Sequence, residues 1–116
     1  MRTGLIPAVI VSLALGSSNA LAHAYLEQAN PRVGSTVRSA PSQLTLTFSQ
    51  NIEPSFSSAD VRNSAGGRVD QGTSASGNIM FVNVGSLPPG TYKVHWHILS
   101  VDTHKTEGGF SFTIAK

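Results

Sequence analysis

The chain has 116 residues, 40% of them hydrophobic, and a formal net charge of +2 with its histidines neutral. Its eight Lys/Arg residues are scattered singly, which leaves no basic patch to grip nucleic acid or anionic lipid. The complete lack of cysteine excludes disulfides, thiolate metal centres and thiol catalysis.

Arg2, the apolar run Leu5–Leu15, the polar Gly16–Asn19 and the small-residue stretch Ala20-Leu21-Ala22 read as a secretory signal cleaved after Ala22. Pro7 sits inside the run and argues against a buried helix, and the run is shorter than the roughly 18 apolar residues of a membrane anchor. The expectation is one exported domain over 23–116, with no membrane insertion after cleavage. Export without cysteine points to a bacterial periplasm, because small eukaryotic secreted domains are more often disulfide-stapled.

From there the chain is cut into short alternating runs. In "QLTLTFS", Leu44, Leu46 and Phe48 share one face while Thr45, Thr47 and Ser49 share the other. "NIMFVNV" repeats the pattern. In "GTYKVHWHILS", Tyr92, Val94, Trp96 and Ile98 point one way and Lys93, His95 and His97 the other; "GGFSFTIA" aligns Phe110, Phe112 and Ile114. Between these runs lie "NPRVGS", "SAPS", "NSAGG", "GTSASGN" and "SLPPG", all turn-permitting, and the Ser/Gly-rich stretch at 72–77 reads as a loop. No segment carries a helical period. The spacing predicts a small all-β sandwich or barrel.

Three positions could carry metal chemistry. Cleavage after Ala22 would free an α-amine on His23, and that amine with the imidazole Nδ1 can close a six-membered chelate ring on a metal. The plain alternative is a solvated chain end. Asp102 and His104, two apart in "SVDTHKTEGGF", would project to one side in extended backbone and could meet one ion. An ordinary turn, with Asp102 accepting backbone N–H bonds and His104 in solvent, uses the same residue types. His95 and His97 fit either a solvated sheet face, a second weaker metal site, or a contact supporting the first. All four histidines fall at residue 23 or within residues 95–104. That clustering favours metal binding.

These residues resemble the small periplasmic copper-resistance proteins of the CopC type, over essentially the whole stretch from His23: "ANPRVGS", "PSQLTLTFSQNI", "PPGTYKVHWHILSVDTH" and "EGGFSFTI". The specific part is the Tyr-x-Val-x-Trp strand running into Ser-x-Asp-x-His. The resemblance implies a seven-stranded Greek-key β-sandwich or barrel, immunoglobulin-like or cupredoxin-like. It also implies one Cu(II) per chain held by the N-terminal amine, His23, Asp102 and His104. Two departures stand out. Gln50 occupies a position that is acidic in some members, and Met80 is the only methionine after the leader, where other members carry a Met-rich loop for Cu(I).

Amine, imidazole and carboxylate donors suit tetragonal Cu(II), with Zn(II) as the second metal. The function expected is a non-enzymatic carrier that sequesters Cu(II) in the periplasm or passes it to a membrane copper transporter of the CopD type. No Ser/His/Asp triad, phosphate loop or nicotinamide motif points to an enzyme. Two alternatives stay open: a copper oxidase resembling the lytic polysaccharide monooxygenases, and a metal-free immunoglobulin-like scaffold.

Overall fold

The computed structural model describes residues 24–116; the leader over 1–22 and His23 lie outside the described residues. The described chain forms β1 (Leu26–Asn30), β2 (Thr36–Val37), β3 (Gln43–Phe48), β4 (Ser58–Arg62), β5 (Asp70–Ser76), β6 (Ile79–Val84), β7 (Gly90–Leu99) and β8 (Lys105–Ile114), with a 3-10 turn at Pro54–Phe56. They make two four-stranded sheets, ordered β1-β3-β6-β5 and β2-β8-β7-β4. Every pairing is antiparallel except β2 with β8. The β1–β2, β2–β3, β3–β4, β4–β5 and β6–β7 connections cross between the sheets, the long-range connectivity of a Greek-key β-sandwich.

The alternating patterns become the two inner faces. Leu44, Leu46 and Phe48 of β3 and Met80, Val82 and Val84 of β6 face Val61 of β4, Tyr92, Val94, Trp96 and Ile98 of β7, and Phe112 and Ile114 of β8 in one core. Burying such side chains contributes roughly 1.5–3 kcal/mol each, which replaces the staples that the sequence lacks. Trp96 meets Phe48 edge-on across the sheets, with ring centroids 5.0 Å apart. Opposite Trp96 on β8 stands Gly108. A Cβ there would fall 2.5 Å from Cζ2 of the indole, so only glycine leaves the ring its place.

Two sequence expectations change. Eight strands form among the described residues, where seven were expected; the addition is β2, only two residues long and held in parallel by β8, with the Thr113 N–H donating to Ser35 O at 2.9 Å. The Ser/Gly-rich stretch read as a loop is strand β5, paired through Thr73–Val82, Ser74–Phe81, Ala75–Met80 and Ser76–Ile79. Local composition is a weak guide there because strand stability comes from neighbours on the sheet. β6 supplies a complete hydrogen-bonding edge and Ala75 packs against the core. The turn shrinks to Gly77-Asn78, with Gly77 at φ +62°, as a two-residue hairpin demands.

Candidate metal centre

β7 ends at Leu99, just before the buried Ser100, and residues 100–104 close one tight turn. The Ser100 N–H donates to His104 O at 2.9 Å, and the Thr103 N–H donates to Ser100 O at 2.9 Å. Thr103 lies at φ +73°, in the left-handed region. Asp102 and His104 therefore converge by a turn, not through the extended backbone that the sequence suggested. The turn brings Asp102 Oδ1 to 3.3 Å from His104 Nδ1, with both side chains nearly half exposed.

The Ser100 hydroxyl lies inside this turn. It donates to Asp102 Oδ1 and accepts the His104 N–H at 3.3 Å. That Ser100 bond is the main reason the Asp102 carboxyl sits below the ordinary carboxylate range; partial desolvation opposes it, and the His104 ring and backbone reinforce it. The carboxylate is thus kept ionised and pointed at the imidazole.

A second segment laces onto the turn. Val101 N–H donates to Asn51 O at 3.0 Å, Glu53 N–H donates to Leu99 O at 2.8 Å, and Ile52 bridges Ser100. With its amide nitrogen toward the carboxylate, Gln50 donates to Asp102 Oδ1 at 3.3 Å and Oδ2 at 3.1 Å. One residue earlier, Ser49 is tied to the start of the described chain: Tyr25 N–H donates to Ser49 Oγ and Ser49 N–H to Tyr25 O, both at 2.9 Å. Ala24 is buried at 2% exposure and belongs to the core. The beginning of the described chain, the Gln50 segment and the Asp102–His104 turn thereby form one end of the sandwich.

His95 and His97 project from the solvent face of β7, as their alternation predicts. His95 contacts Glu107 and Asp60, and His97 contacts Ser58. Sequence reasoning assigned no role to Ser100 and left that of Gln50 open. The signal for Ser100 was its place two residues before Asp102, the spacing at which a hydroxyl reaches a carboxylate in a turn.

Fold and turn define a small β-sandwich that offers a carboxylate–imidazole pair at the end where the described residues begin. The CopC domain model matches residues 26–115, and the chain belongs to the CopC family. Copper resistance protein C of Xanthomonas campestris pv. juglandis is 32% identical over 116 residues, covering 91% of each chain. Among solved structures, CopC from Methylosinus trichosporium OB3b superposes with a TM-score of 0.77 at 29% identity, covering 80% of this chain and 94% of that one. PcoC, a methionine-rich copper resistance protein from Escherichia coli, does so with a TM-score of 0.71 at 32% identity, covering 80% and 99%. Met80 here lies fully buried in β6. It offers no thioether to solvent.

Proposed function

We propose that this chain is a periplasmic, non-enzymatic copper-binding protein. One Cu(II) is held by the α-amine and imidazole of His23, freed by cleavage after Ala22, together with Asp102 and His104. The observation that carries this reading is the 3.3 Å approach of Asp102 to His104 at the end of the sandwich to which Ala24 and Tyr25 are fastened. Residue 23 is covalently joined to that buried alanine, and one ion with bonds of about 2 Å can span the carboxylate and imidazole.

The donor chemistry fits Cu(II), which stands highest among the divalent ions for nitrogen and oxygen ligands and takes a tetragonal arrangement. Ser100 and Gln50 hold the carboxylate through hydrogen bonds to its oxygens, the supporting role that hydrogen-bonding neighbours play at metal sites. Gln50 does so without charge, where some family members place an acid. The Xanthomonas campestris relative and PcoC are copper resistance proteins, which supports copper as the cargo. Sequestration, or delivery to a membrane copper transporter of the CopD type, follows as the use of such a site.

The test is to compare the exported protein with a variant carrying one glycine inserted between Ala22 and His23. Excess Cu(II) should raise the melting temperature of the former, a ligand at 100 times its Kd adding about 2.7 kcal/mol of stability. The insertion moves the amine away from the imidazole and should abolish most of that rise while the metal-free melting temperature stays the same. Equal copper stabilisation of both proteins would overturn the proposal.

A further inference from the structure

The two lateral edges of the sandwich are finished differently. Between β4 and β5 the sheets are tied together: the Val69 N–H donates to Val61 O at 2.8 Å, and the Val61 N–H donates to Asp70 Oδ1 at 2.9 Å. At the opposite edge β8 is covered only toward its end, where β2 pairs with Thr113 and Ile114 and the Gly34 N–H donates to Ser111 O at 2.7 Å. Along a strand the N–H and C=O of one residue point to the same side, and those of the next residue to the other. The β7–β8 register runs without a break, and Ser111 O and the Thr113 N–H face β2. Lys105, Glu107 and Gly109 therefore turn their backbone groups outward too, and among the described residues no backbone group pairs with them there.

We propose that this open edge is a self-association surface, on which a second copy of the chain adds its own β8 antiparallel about a two-fold axis at Thr106. Charge selects the register. Centring on Thr106 sets Lys105 against Glu107 of the second copy and Glu107 against its Lys105, all exposed, with opposite charges at facing positions. Centring on Lys105 or Glu107 would set like charges face to face, and centring on Gly108 would need the Ser111 carbonyl that Gly34 already occupies. In the favoured register both Lys–Glu pairs exchange N–H···O bonds through their outward backbone groups. A carboxylate has two oxygens, so Glu107 can keep its contact with His95 through Oε1 and meet the lysine through Oε2.

Thr106 gives a separate indication. Its side chain stands opposite Ile98 on the inner side of β8, and its Oγ1 is buried with no hydrogen-bond partner among the described residues. A group left in that state is costly. On the axis it faces Thr106 of the second copy in a non-hydrogen-bonded pair, the closer kind, in which threonine hydroxyls bond across strands. Open edges are commonly guarded by charge, and here the guarding charges complement their own copies. The joined strands are short, well below a standard interface, so the dimer is transient. Each His104 lies two positions from the axis, which sets the two Asp102–His104 turns about 14 Å apart along the strands. Only that last consequence touches the copper reading; the association itself does not depend on it.

Sedimentation equilibrium of the metal-free exported protein, from about 10 μM to 1 mM, tests the proposal. The weight-average mass should climb toward twice the monomer at the top of that range. Lys105→Glu and Glu107→Lys should each raise the dissociation constant about tenfold or more, because each makes both facing pairs repulsive. Mixing the two variants should restore association, since every facing pair across the mixed dimer then carries opposite charges. Circular dichroism checks that both variants keep the fold. A parent protein that stays monomeric throughout, single variants that associate as the parent does, or a mixture no more associated than either variant alone would overturn the proposal.

Discussion

An alanine at Gly108 tests how the core fixes the strand that leads to the site. Its methyl would sit 2.5 Å from Cζ2, 3.0 Å from Cε2 and 3.2 Å from Cη2 of Trp96. The indole would have to retreat by about 1 Å to regain ordinary contact distances near 3.5 Å. Phe48, fully buried with its ring centroid 5.0 Å away, stands in its path. Overpacking of this kind costs about 1–3 kcal/mol. At 2 kcal/mol the melting temperature of a domain this size falls by roughly 8–16 °C. Gly85→Ala is the matched control. Its methyl would lie 2.7 Å from Gln71 Nε2, nearly as close, but that atom ends a flexible, exposed side chain that can swing aside. Its cost should stay within about 0.5 kcal/mol. Thermal and urea melts followed by the fluorescence of the sole tryptophan measure both. A Gly108→Ala protein melting within about 2 °C of the parent, or a Gly85→Ala protein losing as much, would refute the reasoning.

Ser100→Ala removes the hydroxyl that most lowers the Asp102 carboxyl, so its titration, followed by carboxyl 13C NMR, should move up toward the ordinary value of about 3.9. A folded-state value held below the unfolded one gives stability that is present above the unfolded value and lost as pH falls through the folded one; the variant should lose that acid-side contribution at a higher pH. Gln50→Glu places a second negative group against Asp102. The metal-free protein should melt lower at neutral pH, and the rise on adding Cu(II) should exceed that of the parent; a smaller rise would contradict the role given to Gln50. Thr103→Gly relieves a left-handed residue whose cost is about 1–2 kcal/mol, against about 0.5–1 kcal/mol for the added freedom of glycine in the unfolded chain. Scanning calorimetry should show a gain of about 0.5 kcal/mol, or 2–4 °C.

Much of this molecule was legible in the residues themselves. A period of two in Leu44–Phe48 and Tyr92–Ile98 assigns each side chain to the core or to solvent whatever the strands pair with, because successive side chains must point to opposite faces. The same alternation put His95 and His97 outside. The donor types at Asp102 and His104 were also visible, as a carboxylate and an imidazole two residues apart, but the same pair reads equally as an ordinary turn. Neither statement needed a partner strand.

What the residues could not state were distances between segments remote in the chain, and these decide strand identity and site geometry alike. The Ser/Gly-rich β5 becomes a strand because β6 offers it an edge, and the two-residue β2 exists because β8 does. Ser100 and Gln50 acquire their roles only when the segment after β3 pairs with the end of β7 and the amide and hydroxyl meet one carboxylate. Asp60 reaches His95 only because β4 lies beside β7. Periodicity is a local property and survives in a one-dimensional reading, whereas hydrogen bonds and coordination depend on separations of about 3 Å that chain folding alone creates.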